Sequence, residues 1–203
     1  KELENILSQE KNYGKNNIGS GQNINIEFVS ANPTGPLHAA HARGAIIGDV
    51  LANLLSFSGY NVIREYYIND AGSQIIVLSK SVYLRYCQAL GDVISNIPAG
   101  LYPGDYLIEV GQFLATKFGD RLKSLPEADA LAKIAPIAID IIMGSIKKDL
   151  ARLGVKMDVY SSENELVVQG KVSSAIKKLQ AKGLIYQGKP EAPKGQIAID
   201  WEQ

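Results

Sequence analysis

Apolar and polar residues alternate over "INIEFVS", residues 24–30, with Ile24, Ile26 and Phe28 on one side and Asn25 and Glu27 on the other. A period of two marks a half-buried strand. "ANPTGP" ends it, because proline brings no ladder donor and Pro33 pushes Asn32 away from helical backbone. The period then becomes helical over residues 38–58, where Ile46, Ile47, Val50, Leu51, Leu54 and Leu55 recur at helical spacing, and Gly59 supplies the stop. "YNVIREYYI" predicts the next strand. Strand, tight loop, helix, glycine and strand in succession form a βαβ unit, which implies a parallel sheet with a right-handed crossover.

Beyond this unit, helical spacing runs from Ser73 to about Leu90, and Pro98, Gly100, Pro103 and Gly104 then interrupt the parallel alternation. Two more helices are predicted at about 106–118 and 127–152, the second carrying Pro136 as a kink. "GVKMDVYS" reads as a strand, "QGKVSSAIKKLQAKG" as a helix, and "LIYQG" with "QIAIDW" as a hairpin around "KPEAPKG". The chain opens on a charged amphipathic stretch and stops on a strand-like run, so both ends read as cut from a longer protein. The expected division is a linker over 1–22 that follows a further N-terminal domain, and a first βαβ half over 23–74. A mainly helical insertion then covers 75–145, a return to the sheet layer 146–168, and the start of a second insertion 169–203. The fold class is α/β, a nucleotide-type parallel sheet with helical and small β insertions.

Composition narrows the chemistry only a little. With 46% hydrophobic and 21% charged residues the balance is that of a soluble globular protein. Twenty-one basic residues cancel twenty-one acidic ones, so net charge proposes neither nucleic acid nor an anionic membrane as partner. Lys147, Lys148, Arg152, Lys177 and Lys178 could face RNA, but a solvated helix face explains each as well. One cysteine excludes an internal disulfide and a cysteine zinc cage. No apolar run is long enough for a membrane-spanning helix, and a cytoplasmic location is expected.

Both histidines of the chain, His38 and His41, stand in "SANPTGPLHAAHARG" at the start of the first long helix. In open parallel sheets ligands collect beyond the carboxyl ends of the strands, and a helix N-terminus offers unpaired N–H groups and a positive dipole end to an anion. Imidazoles three residues apart share that first turn, where they can donate to nucleotide phosphates and stabilise charge as phosphorus is attacked. Zinc would need further ligands that the chain lacks nearby, and no GxGxxG follows the first strand. Nucleotide binding through the histidines is the leading reading, and no protein metal site is expected.

The run from Ile26 to Gly72, "IEFVSANPTGPLHAAHARGAIIGDVLANLLSFSGYNVIREYYINDAG", closely resembles the catalytic core of the bacterial-type arginyl-tRNA synthetases, a class I family with a Rossmann fold. "LYPGDY", "LARLGVKMDVYSSE" and the terminal "DWEQ" extend the likeness more loosely. The resemblance implies ATP-dependent activation of arginine to arginyl-adenylate, then transfer to the terminal adenosine of tRNA(Arg), with tRNA bound before activation. ATP would be a substrate accompanied by Mg2+, and the protein a monomer. Carried onto this sequence, His38 and His41 would be the catalytic pair in the place of the family's HIGH signature. Pro33, Gly35 and Ala40 would complete the ATP site. Glu27 would face the arginine guanidinium, Ser30 and Asn32 its ammonium end, and Tyr66, Asn69 and Asp70 the pocket wall. A planar guanidinium is matched by a bidentate carboxylate, which supports Glu27 on physical grounds as well.

Two features depart from the family. Ala40 stands where the signature carries glycine, and its methyl could press on the nucleotide. The lysine-rich KMSK-type loop and the later helix with further arginine contacts do not occur in these 203 residues, so the chain alone is expected not to charge tRNA. Two other readings stay open: an adenylyl or nucleotidyltransferase using the same HxxH, and a non-catalytic paralogue that binds tRNA or a protein.

Overall fold

The structure is a computed structural model that describes residues 1–186 and 188, in two compact units, Lys1–Asn164 and Glu165–Gln203. The predicted hairpin around residues 189–195 lies outside the described residues. The first unit holds a three-stranded parallel sheet in the order β1 (Asn23–Glu27), β2 (Asn61–Ile68), β3 (Val159–Ser162). After the N-terminal α1 (Glu2–Gln9), helix α2 (Ala39–Phe57) carries the chain from β1 to β2. Three helices, α3 (Ser73–Ala89), α4 (Tyr106–Phe118) and α5 (Glu127–Arg152), fill the crossover to β3. A short α6 (Glu163–Val168), which periodicity did not predict, begins directly after β3, and α7 (Lys171–Ala181) belongs to the second unit.

The core lies mainly among α3, α4 and α5, where Leu78, Val82, Tyr86, Leu107, Leu114, Ile134 and Ile146 are fully buried. Helix α5 runs through Pro136 as one helix of 26 residues. No helix among the described residues is long and apolar enough to cross a membrane.

One expectation is corrected, and one feature of packing lies beyond what periodicity states. The first strand stops at Glu27 rather than Ser30, because Val29 (φ 68°) and Ser30 (φ 40°) turn into left-handed backbone, a rare conformation for a β-branched residue. The large apolar residues of α2 face outward, with Ile47 61% and Leu54 60% exposed, while Ala45, Gly48 and Ala52 face in. The reason is closeness: a Cβ on Gly48 would lie 2.2 Å from the Phe28 ring, so only the small-residue face lets the helix lie this close to the strand end. Docking is completed by polar contacts to β2. Arg64 lies 3.4 Å from the Asp49 carboxylate and donates to Asn53 at 2.6 Å, which assigns Asp49 to packing.

Candidate active site

The chain between β1 and α2 is a succession of tight turns at the carboxyl end of the sheet. Ser30 N–H returns to the Phe28 carbonyl at 3.0 Å, and Thr34 N–H to the Asn32 carbonyl at 2.7 Å. These turns throw the Glu27 carboxylate, at the last position of β1, into the open, and the Ser30 hydroxyl donates to it. Ser30 Oγ also accepts the Tyr67 N–H at 3.0 Å, so this hydroxyl is a strut between the loop and β2 that orients Glu27. Asn32, half-buried, donates its amide to Gln74 Oε1 of α3 at 2.8 Å, which leaves its carbonyl oxygen as an acceptor. Pro33 is fully buried beneath the turn.

At the far end of the loop, His38 is the N-cap residue of α2, and its ring stacks on that of His41 with centroids 3.8 Å apart. The His38 backbone N–H donates to His41 Nδ1 at 3.3 Å. An accepting Nδ1 places the proton of the neutral ring on Nε2, so His41 offers one oriented donor. Burial, followed by the neighbouring His38, lowers the His41 pKa below its ordinary 6.5, and the ring is neutral at neutral pH. The amides of Ala39 and Ala40 belong to the first helical turn, which has no intrahelical acceptors for them, and both residues are exposed. Together they present a face of neutral donors. The Ala40 methyl is at the surface of that turn rather than inside the fold.

The other residues expected in the pocket wall have partners of their own. Tyr66 is fully buried with its hydroxyl donating to the Ala31 carbonyl at 2.8 Å, and burial raises its pKa. It therefore supports the loop from beneath and has no surface left for arginine, which corrects its placement in the pocket wall. Asp70 accepts from Ser162 Oγ at 2.6 Å and from Asn164 N–H at 2.8 Å, tying the end of β2 to the start of α6. It borders a cavity of about 890 Å3, between the N-terminus of α3 and α5, walled by Ile68, Ile75, Pro136 and Met143. Asn69 is half-buried beside it.

Sequence patterns did not flag Glu65, the direct neighbour of Glu27 on β2. Glu65 accepts from Ser161 of β3 and Asn25 of β1, and these two bonds hold its carboxyl below the usual range. It laces the three strands under the site. Tyr106 and Gln74 were also missed, since their contacts with the loop join residues 72 and 42 positions apart.

A family model described as tRNA synthetases class I (R), catalytic domain, matches residues 2–93. The arginine–tRNA ligase of Brucella anthropi is 53% identical over 204 residues, covering 100% of this chain and 35% of the relative. That of Brucella abortus strain 2308 is 52% identical with the same coverage. The chain thus spans about a third of the length of the curated relatives it matches. Among solved structures, one from Campylobacter jejuni named for the arginyl-tRNA synthetases matches with a TM-score of 0.78 and 31% identity, over 91% of this chain and 40% of that one. The Thermus thermophilus arginyl-tRNA synthetase matches with a TM-score of 0.56 over 94% and 32%, and at 19% identity this is a likeness of fold. With its Rossmann-type parallel sheet and an arginine–tRNA ligase aligned along its whole length, the chain belongs to the class I tRNA synthetase catalytic domains of the arginyl type.

Proposed function

We propose that this chain supplies the first half of the active site of a cytoplasmic, monomeric arginine–tRNA ligase. The observation that carries the reading is the loop 28–38, which holds a carboxylate at one end and a neutral, oriented imidazole at the other. In the reaction, an arginine carboxylate oxygen attacks the α-phosphorus of ATP, the bond to the β-phosphate oxygen breaks, and pyrophosphate leaves. A hydroxyl of the terminal adenosine of tRNA(Arg) then attacks the arginyl carbonyl, and AMP leaves. Glu27 pairs with the guanidinium, and Asn32 accepts from the arginine ammonium group. His41 Nε2–H, His38 and the first amides of α2 donate to the phosphates as charge builds on them. Mg2+ arrives with ATP; no group of three His, Cys, Asp or Glu converges among the described residues. Residues 75–145 act as the helical insertion between β2 and the return of the chain to the sheet.

The test is charging of tRNA by the full natural polypeptide, with arginine, lysine and citrulline offered in parallel to the wild type and to Glu27→Gln. Arginine alone should be charged, and the variant should lose about two to four orders of magnitude in kcat/KM for arginine, as expected when a charge-assisted pair with the substrate loses one partner. Equal use of arginine and citrulline by the wild type would remove Glu27 from the guanidinium site. Absence of charging with all three would refute the ligase reading. The 203 residues alone should charge nothing.

A further inference from the structure

The segment "LYPGDY" lies far in sequence from the histidines, yet it meets the loop that carries them. Tyr106, the first residue of α4, donates its hydroxyl to the Thr34 carbonyl at 2.6 Å. Its ring also closes over Gly35, where a Cβ would stand 3.2 Å from the hydroxyl oxygen and 3.3 Å from Cζ. Gly104 also lies against the ring, where a Cβ would fall 2.1 Å from Cε1. Two glycines and one phenol are thus fitted to each other, and burial raises the Tyr106 pKa so that the hydroxyl stays a donor.

The segment presenting Tyr106 is itself anchored. Tyr102 N–H donates to the buried Ser81 hydroxyl at 2.9 Å, and that hydroxyl donates in turn to the Val77 carbonyl at 2.7 Å. Arg85 Nη2 donates to the Pro103 carbonyl at 2.6 Å and lies 3.7 Å from the Asp105 carboxylate. A Cβ on Gly111 would meet the Arg85 backbone at 2.5 Å, so α3 and α4 are in close backbone contact. Tyr106 therefore projects from the best-packed part of the unit. The loop it grips is otherwise held by the Tyr66 hydroxyl on Ala31 and by Gln74 on Asn32, both before Pro33. Between Thr34 and His38, Tyr106 supplies the hydrogen-bonded clamp, while Leu37 packs against the core.

We infer that Tyr106 is a positioning residue for the ATP side of the site: through the Thr34 carbonyl it fixes the Thr34–Leu37 segment, and with it the entry of the chain into the His38–His41 turn. This rests on the ligase reading. It separates the two ends of the loop, since Glu27 and Asn32 have their own supports and only the phosphate-facing turn depends on the phenol.

The test is Tyr106→Phe in the full natural polypeptide, which keeps the ring against the two glycines and removes only the hydroxyl. Charging is measured with ATP and arginine varied separately, alongside thermal unfolding and hydrogen exchange of the amides over residues 34–41. The expected result is a KM for ATP raised by about three- to tenfold, the range for one lost neutral hydrogen bond, with the KM for arginine unchanged and exchange at 34–41 accelerated. Gly35→Ala, which pushes on the same contact from the loop side, should raise the KM for ATP as well, and the double variant should show less than the product of the two effects. A lowered Tm with both KM values and kcat unchanged would make Tyr106 merely structural and overturn the inference, as would an equal rise in both KM values. If the wild type charges nothing, the ligase reading fails separately. The exchange data then decide for the clamp if 34–41 alone is faster in Tyr106→Phe, and against it if the segment is unaltered.

Discussion

Helix α2 and the block α3–α5 have similar apolar content but use it in opposite ways. In the block, long side chains such as Leu78, Leu114 and Ile146 point inward and are fully buried. In α2 the inward face is Ala45, Gly48 and Ala52, and Ile46, Ile47, Val50, Leu51 and Leu54 point out. The block buries area, whereas α2 achieves proximity, its small-residue face letting the helix lie against Phe28 at the end of β1. Periodicity alone reports which residues share a face, and the size of the residues opposite decides which face goes in.

Substitutions can break this contrast. The largest effect is expected for Leu114→Ala, which should lower stability in urea unfolding by about 2–5 kcal/mol, the range for a truncated, fully buried leucine. Next comes Gly48→Ala. Helix propensity favours alanine by about 1 kcal/mol, but the added methyl would sit 2.2 Å from the Phe28 ring, and overpacking of this kind costs about 1–3 kcal/mol. A net loss of up to about 2 kcal/mol should follow. Gly44→Ala on the same helix, with nothing within 4 Å of the new Cβ, should instead gain a few tenths to about 1 kcal/mol. The smallest effect belongs to Ile47→Ala in the 203-residue chain, within about 0.5 kcal/mol as for an exposed position. A loss at Ile47 equal to that at Leu114 would show that the outward face of α2 is covered.

Much of the architecture was legible locally. The βαβ unit, α3 to α5 and α7 follow from period, proline and glycine, and β3 differed mainly in its boundaries, beginning at Val159 instead of near Gly154. Within the site, the histidine pair at the start of α2 was legible because strand, turn and helix signals are contiguous there. Tyr66 was misplaced because strand alternation does not say which of two adjacent tyrosines lies beneath the loop. The bonds of Asp70 were not legible because its partners, Ser162 and Asn164, follow more than ninety positions later.

By itself the sequence determined the parallel sheet, the helix boundaries and the placing of both histidines at a helix start, since each depends on neighbours within a few turns of chain. Only the tertiary structure decided which face of α2 is buried, that His41 accepts from His38 and is neutral, that Ser30 braces Glu27, and that Tyr106 grips Thr34. Those outcomes depend on steric fit and hydrogen bonds between distant segments, whose geometry exists only once the helical block has packed against the sheet.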